Sequence, residues 1–287
     1  MAKTTSAGDA DVRTAFPNGH FYSPVVDVHD AGARAATLWP ATAQPMPGLD
    51  FNDASHRQWL TEFFPRFIAD YQYPEHETDD PGRFFTLNSQ FSWLDARAYF
   101  VALRQYRPAR VIEVGAGFST LLLADVKRRF LPDVAVTCVE PYPRAFLRTL
   151  AGCELIEAKV QDVPVERFGS LAAGDILFID SSHVSKTGSD VNFLCFEVLP
   201  RLRAGVLVHI HDIFLPQEYP RDWVLGENRS WNEQYVLRAF LMFNRAYQVL
   251  FGSSYAFLTY PELVRDALAL PSGAAFAGGS LWLQRLD

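Results

Sequence analysis

The sequence has few cysteines, an acidic rather than basic charge balance and no long apolar run. Three cysteines, Cys138, Cys153 and Cys195, cannot build a disulfide framework and form no CxxC pair, so we expect reduced thiols in the cytoplasm. A net charge of −7 argues against nucleic acid or an anionic membrane as the main partner. No run approaches the roughly 18 apolar residues of a membrane span, and the opening residues lack the apolar core of a signal peptide.

The remaining composition is that of a globular protein with 49% hydrophobic residues. With nucleic acid and membrane disfavoured, a small molecule is the expected partner, and the sequence leaves a homo-oligomer open. Residues 1–87 are rich in Pro, Asp, His and aromatic residues and show little strand pattern. We predict an N-terminal tail and helical cap or lid over 1–87, and one α/β domain over 88–287.

Within the N-terminal segment, prolines indicate irregular chain over residues 20–48, after a tail at 1–15. Apolar residues at helical spacing predict one helix through Trp59 and Tyr71, capped by Asp53 or Ser55 and kinked by Pro65. A second helix is predicted at about 90–106.

From residue 110 onward, short β-branched runs alternate with helical stretches, which is typical of a parallel sheet. Strands are predicted at about 110–114, 134–140, 153–157, 175–180, 206–210, 246–251 and 280–285. Helices are predicted at about 118–130, 142–150, 188–200 and 230–243. Because such sheets bind ligands at the carboxyl ends of their strands, functional residues are expected at those ends.

The first strand ends in a glycine turn, Glu113-Val-Gly115-Ala-Gly117-Phe-Ser119-Thr120. Glycines allow a ligand to approach the backbone closely, and Ser119 with the following helix supplies donors. Thr120 stands where a dinucleotide fingerprint has a third small residue, and no P-loop lysine follows. Both of those phosphate-binding motifs are therefore disfavoured.

The next two strand ends carry polar residues that suit a nucleoside. Glu140 ends the second strand, where a carboxylate accepts both hydroxyls of a ribose. Gln161 and Asp162 follow the third strand and are placed to contact the edge of an adenine ring.

Asp180, His183, His211 and Asp212 follow the fourth and fifth strands, whose ends are neighbours in a doubly wound sheet. Two carboxylates and an imidazole suit a divalent cation, and a second imidazole suits a base. His209 lies within the strand and is interpreted as a core histidine.

The order of these motifs over residues 88–287 resembles the class I S-adenosylmethionine-dependent methyltransferases, and within them the small-molecule O-methyltransferases of the catechol and macrolide-sugar type. The resemblance implies a Rossmann-like, doubly wound, mostly parallel seven-stranded sheet with helices on both faces, an N-terminal helical cap and an antiparallel seventh strand. It implies a cofactor site for S-adenosylmethionine made by Glu113, Gly115, Gly117, Ser119, Glu140, Gln161, Asp162 and Asp180.

By the same resemblance, Asp180, His211 and Asp212 correspond to magnesium ligands and His183 corresponds to the general base. The imidazole of His211 departs from the oxygen ligands of that type. His211 therefore either shifts the metal preference of the site toward a transition metal or does not bind the metal at all. In the second case it would orient the acceptor or act as the base itself.

Tyr22, Asn232 and Glu233 are the candidate contacts to the methyl acceptor, which we expect to be a sugar, a phenol or a secondary metabolite with a free hydroxyl. Three alternatives stay open at this point: N-methylation, a nucleotide-dependent oxidoreductase of similar fold, and a non-catalytic scaffold that binds S-adenosylmethionine.

Overall fold

A computed structural model describes residues 14–42, 44–270 and 278–287 of the 287-residue chain. The predicted tail at 1–15 lies almost wholly outside these residues. The chain divides into two compact units. The smaller unit contains residues 14–40 and Glu218–Ser230, and the larger unit contains Ala41–Gln217 and Trp231–Asp287. Residues 41–87 therefore share a unit with the sheet, and their role as a cap stays a prediction.

The larger unit is built on a seven-stranded sheet with helices between the strands. Its strands are β1 (Arg110–Val114), β2 (Ala135–Val139), β3 (Cys153–Ile156), β4 (Ile176–Ile179), β5 (Leu207–Ile210), β6 (Tyr247–Gly252) and β7 (Leu281–Arg285). The α-helices in the residues that the structure describes are α1 (Val28–Ala33), α2 (Ala35–Leu38), α3 (Asp53–Gln58), α4 (Phe64–Phe67), α5 (Trp93–Tyr106), α6 (Phe118–Phe130), α7 (Ala145–Thr149), α8 (Asp190–Phe193), α9 (Arg221–Leu225), α10 (Glu233–Leu241), α11 (Ser253–Thr259) and α12 (Pro261–Leu268).

The strand order is β3-β2-β1-β4-β5-β7-β6. Strands β1 to β5 pair in parallel, and β7 runs antiparallel to both β5 and β6. The sheet is therefore mixed, with the single reversed strand that the family resemblance implied. The chain runs outward from β1 to β3 and then returns to β4 beside β1. This reversal creates the crevice at the carboxyl ends where ligands bind in such sheets.

Both faces of the sheet are covered, as predicted. In β1, Val111 packs into one apolar cluster with Tyr99 of α5, while Ile112 packs into the other cluster with Leu237 of α10. This alternation follows from the two-residue period of a strand. All seven predicted strands and the helices at α5, α6, α7 and α10 are present, within a few residues of their predicted ends. The helix predicted at about 188–200 begins as α8 and continues as a π-helical turn, Leu194–Val198, and a 3₁₀ turn, Leu199–Arg201.

Several N-terminal predictions were wrong in detail. Residues 20–48 contain α1 and α2 rather than only irregular chain, because Asp27 caps α1 by accepting from the amides of His29 and Asp30. The helix at Trp59 begins after Asn52, which accepts from the amide of Ser55 and is the actual cap. A π-helical turn, Trp59–Phe63, precedes Pro65, whose missing N–H interrupts the ladder there.

Helices α11 and α12, which are short and follow β6 directly, were not predicted from the sequence. In the residues that the structure describes, every helix is too short or too polar to cross a bilayer.

Candidate active site

The glycine turn after β1 touches the end of β4. Gly115 has φ of +80°, and a Cβ atom placed on it would stand 1.9 Å from the carbonyl oxygen of Asp180. Its amide donates to the carbonyl of Val139 at 2.9 Å. Only glycine tolerates both the left-handed backbone and this contact. A Cβ on Gly117 would meet nothing within 4 Å, so the turn is open on that side.

A buried carboxylate supports the turn from below. Thr120 accepts from the amide of Gly117 at 3.1 Å and donates to Glu113 at 2.5 Å, and the Tyr99 hydroxyl donates to the other Glu113 oxygen at 3.0 Å. Ser119 also hydrogen-bonds to Glu113. Glu113 and Ser119 were predicted to surround the cofactor. Instead they lie buried beneath the turn and fix its shape.

Glu113 gives a pH-dependent stability that can be measured. Burial raises the pKa of Glu113 to about 7, although hydrogen bonds from Thr120 and Tyr99 oppose the shift. A carboxyl whose pKa is raised by folding stabilises the protein below its unfolded pKa, and this contribution is lost as pH rises through the folded value. Glu113→Gln should remove that loss. Between pH 5 and 8, wild type should lose about 2.5 kcal/mol of unfolding free energy relative to the variant in urea titrations. Parallel pH profiles would contradict the assignment.

A cavity of about 530 Å³ opens at the carboxyl ends of β1, β2 and β4, within the size range of small-molecule sites. Its lining includes Gly115, Glu140, Tyr142, Gln161, Asp180 and Lys186. The carboxylate of Glu140 accepts from the amides of Ala116 at 3.2 Å and Tyr142 at 2.8 Å, so its position is tied to the glycine turn.

The third strand end contributes only one of its two predicted residues. Gln161 lines the cavity and donates to the carbonyl of Gly188 at 2.8 Å. Asp162 is exposed and lies outside the cavity lining. The cause is the 3₁₀ turn Val160–Asp162, which points successive side chains about 120° apart.

Four predicted residues meet beside this cavity, and we call them the Asp–His cluster: Asp180, His183, His211 and Asp212. They converge because Ile179 of β4 pairs with Ile210 of β5, and the cluster residues follow directly. The inner nitrogen of His183, Nε2, lies 3.4 Å from Asp180 Oδ1 and 3.5 Å from Asp212 Oδ2. The inner nitrogen of His211, Nδ1, lies 3.5 Å and 3.7 Å from the same two carboxylates.

Each imidazole has another buried carboxylate at its outer nitrogen. Glu233 of α10 contacts His183 Nδ1 at 2.9 Å, and Asp95 of α5 lies 3.5 Å from His211 Nε2. Asp95 also accepts from the amides of Gly279 and Ser280. Asp95 was not predicted to be a site residue. The available signal was a single acidic residue on the otherwise apolar face of a helix.

Two residues predicted to contact the acceptor instead hold the loop that carries His183. The Asn232 side chain pairs with the backbone of Ser185, accepting at 2.6 Å and donating at 3.2 Å. Glu233 is only 3% exposed and also accepts from Ser181 at 2.9 Å. Their polar atoms are therefore occupied by this loop. Tyr22 lies in the smaller unit, mostly exposed, and its acceptor role stays a prediction.

The cluster contains two strained backbone positions. His183 and Asp212 have φ of +61° and +56°, a left-handed conformation that non-glycine residues rarely adopt. Such positions occur at functional sites, where the surrounding contacts maintain them.

Burial and charge together determine the protonation of the cluster. Burial alone would lower the pKa of His183, but hydrogen bonds with Asp180 and Glu233 outweigh it and raise the pKa to about 10. Burial would also lower the pKa of His211, but the negative charges of Asp212 and Asp180 outweigh it and raise this pKa well above its usual value. The positive charge of His211 and the hydrogen bond to His183 overcome burial and hold the pKa of Asp180 far below normal. The surrounding carboxylates therefore favour the protonated form of both imidazoles.

His209 is a core residue, as predicted. Its ring stacks on Phe178 at 4.0 Å between centroids, and Nε2 contacts the Ser280 hydroxyl at 2.7 Å. Burial lowers its pKa well below the usual value, so it stays neutral.

The strand order, the glycine turn and the carboxylate at the end of β2 are the features that the resemblance to class I S-adenosylmethionine-dependent methyltransferases implied. Residues 112–213 match a family model described as a methyltransferase domain. An uncharacterized protein of Archaeoglobus fulgidus is 34% identical over 170 residues, which cover 57% of this chain and 76% of the relative. The chain belongs to the same family as this archaeal protein.

Solved structures similar to this chain are more distant. The SAH-bound methyltransferase PaMTH1 of Podospora anserina is 14% identical, covering 96% of this chain and all of that chain, with a TM-score of 0.40. The mitomycin 7-O-methyltransferase MmcR is 17% identical over 66% of this chain and 56% of that chain, with a TM-score of 0.35. Likenesses this distant do not identify an acceptor.

Proposed function

We propose that this protein transfers the methyl group of S-adenosylmethionine to a hydroxyl of a small molecule. The single observation that carries the proposal is the position of Asp180. This residue lines the cavity, and its carboxylate also lies 3.4 Å and 3.5 Å from the two imidazoles of the Asp–His cluster. Cofactor cavity and cluster thus share a residue, as transfer between two adjoining substrates requires.

The cavity supports the cofactor part of this proposal. Gly117 leaves open space beside the backbone for the ligand, and Gly115 lines the cavity. Glu140 presents a fixed carboxylate to ribose hydroxyls, and Gln161 presents an amide to the adenine edge. Two residues of the predicted set, Glu113 and Ser119, contribute by shaping the turn rather than by contact.

The Asp–His cluster supports an oxygen acceptor. The cofactor supplies a methyl group on a sulfonium centre; the acceptor oxygen bonds to that carbon as the carbon–sulfur bond breaks, and the acceptor loses its proton. We assign His183 and His211 to this end of the reaction. The proton that the acceptor hydroxyl loses passes to one of these two imidazoles in its neutral form.

A divalent cation is part of the proposal. Asp180, Asp212 and His211 would hold it, and when bound it would polarise the acceptor oxygen. Asp180, Asp212 and His183 offer ligand atoms within 4.8 Å of one another, and His211 Nδ1 lies 3.5 Å and 3.7 Å from the two carboxylates.

Glu140→Ala tests the cofactor placement. Losing this charged acceptor should weaken S-adenosylmethionine binding by about 1–3 kcal/mol, which is about 5- to 150-fold in Kd. Isothermal calorimetry measures this directly. Glu166→Ala, which removes an exposed carboxylate outside the cavity, is the matched control and should bind as wild type. If Glu140→Ala and the control bind S-adenosylmethionine equally well, Glu140 does not bind the ribose of the cofactor.

A further inference from the structure

We propose that a second cavity, at the amino ends of β2 and β3, binds a phosphorylated small molecule. We call it the basic cavity. Its volume is about 710 Å³, larger than that of the cofactor cavity and within the size range of small-molecule sites. Its basic lining residues are Arg83, Lys127, Arg128 and Arg129. The proposal concerns ligand binding alone and does not depend on methyl transfer.

The basic cavity lies at the edge of the sheet opposite the cofactor cavity. Pro132 and Gly152 line it just before β2 and β3, which run in parallel, so this is the edge formed by their amino ends. Among the described residues, no lining residue is common to the two cavities. The length of β2 that separates them is about 15 Å. A ligand in the basic cavity is therefore too far from the cofactor to be the methyl acceptor.

Hydrogen bonds to one carboxylate hold two walls of the basic cavity together. The Tyr73 hydroxyl donates to Asp125 of α6 at 2.7 Å, and Arg129 donates to the same carboxylate oxygen at 3.0 Å. Arg129 also donates to the carbonyl of Asp70 at 2.9 Å. These contacts fix the segment before α5 against the last turns of α6. The cavity is therefore bounded by two elements whose relative position is fixed.

Lys127 reaches the basic cavity across a glycine. Gly152 has φ of +82°, and a Cβ atom placed on it would stand 3.0 Å from Lys127 Cε. The ammonium of Lys127 donates to the carbonyl of Pro132 at 3.3 Å and to the carbonyl of Val134. Because an ammonium has three donors, one N–H of Lys127 remains for a ligand.

Arg83 is the residue that most clearly indicates a ligand. The three basic residues in the last turn of α6 are explained by the partial negative charge at a helix C-terminus. Arg83 comes from the segment before α5, so this explanation does not apply to it. Its side chain makes no hydrogen bond or ion pair with any residue that the structure describes. A guanidinium offers five donors in a fork that matches the geometry of a phosphate.

The charge and size of the basic cavity suit a phosphate ester. Its lining contains four basic residues and two acidic ones, Asp80 and Asp125, so its net charge is +2 in a chain of net charge −7. A phosphate monoester carries a charge of about −1.5 to −2 at pH 7, whereas a carboxylate carries a single charge. Inorganic phosphate would fill only part of the cavity, and Phe84 and Leu150 supply apolar surface for an organic portion.

The experiment uses the full chain with phenyl phosphate as the probe. Phenyl sulfate has the same shape with one negative charge, and inorganic phosphate has the charge without the ring. Calorimetric titration at about pH 8, where both phosphates are dianions, should give one site for phenyl phosphate. This site should bind it at least about 5-fold more tightly than either reference ion. Equal affinity for phenyl phosphate and either reference ion, or no saturable binding, would overturn the proposal.

Arg83→Gln tests the location of the site. Losing this guanidinium should weaken phenyl phosphate binding by about 5- to 30-fold. Thermal unfolding should be unchanged, because the side chain has no partner in the described structure. Arg203→Gln removes the same charge from an exposed arginine outside both cavities, and this control should bind phenyl phosphate as wild type. If the two variants bind the probe equally well, the basic cavity is not its site.

Saturation with S-adenosylhomocysteine separates this site from the cofactor cavity. Phenyl phosphate should still bind the saturated protein, and Arg83→Gln should bind S-adenosylhomocysteine as wild type. If S-adenosylhomocysteine displaces phenyl phosphate, the probe occupies the cofactor cavity and the proposal fails. If the protein binds phenyl phosphate through Arg83 but does not bind S-adenosylhomocysteine, the proposed function fails and the basic cavity stands.

Discussion

Replacing Gly115 by alanine should destabilise the protein by about 3 kcal/mol or more and abolish S-adenosylmethionine binding. Two costs combine: a left-handed backbone conformation and a Cβ 1.9 Å from the carbonyl oxygen of Asp180. Relief requires β1 and β4 to separate at their carboxyl ends. That movement would deform the cavity where both strands end.

The matched control is Gly117→Ala. Gly117 has φ of −172°, an extended conformation open to any residue, and its Cβ would meet no protein atom within 4 Å. Its stability in urea should equal that of wild type. A Gly115→Ala variant as stable as Gly117→Ala would show that the contact between the turn and Asp180 is not needed by the fold.

Replacing His183 by alanine should lower kcat by about 10²- to 10⁴-fold with little change in cofactor affinity. Its Nε2 faces the gap between Asp180 and Asp212, and the reaction depends on that nitrogen whether it takes a proton or holds an ion. His183 does not line the cofactor cavity, so calorimetry with S-adenosylhomocysteine should be unaffected.

The rate is measured as S-adenosylhomocysteine formation with an acceptor found by profiling sugars, phenols and other hydroxyl compounds. His76→Ala serves as the control and should keep the wild-type rate, because His76 is exposed and lies outside the cluster. A His183→Ala variant with wild-type kcat would remove this residue from the chemistry.

The strands and their carboxyl-end residues could be predicted because local sequence determines them. A parallel strand buried on both faces is a continuous apolar run in the sequence. The residue that follows this run therefore lies at the carboxyl end of the strand. Glu140, Asp180 and His211 were placed on that basis. The return of the chain at β4 then brought them to the same crevice.

The partners of these residues could not be predicted, because they come from elements distant in sequence. Asp95 on α5 reaches His211 across more than a hundred residues, and Glu233 on α10 reaches His183 across fifty. No spacing rule connects such pairs. Glu233 was assigned to the acceptor because its position at a helix start is equally consistent with both roles.

The direction in which a side chain points was the second property that could not be predicted from the sequence. The motif Glu113-Val-Gly-Ala-Gly identified the turn, but a strand alternates its faces, so Glu113 turns inward to Tyr99 and Thr120. Asp162 likewise follows Gln161 in sequence but points away from it in a tight turn. Of two neighbouring residues, one can therefore line the cavity while the other points away from it.

The measurement that tests the central claim most directly is calorimetric titration of the wild-type chain with S-adenosylhomocysteine and, separately, with NAD. The account predicts saturable binding of S-adenosylhomocysteine at one site, weakened in Glu140→Ala, and no binding of NAD at the same concentrations. Binding of NAD with none of S-adenosylhomocysteine would contradict it and would support a nucleotide-dependent oxidoreductase instead.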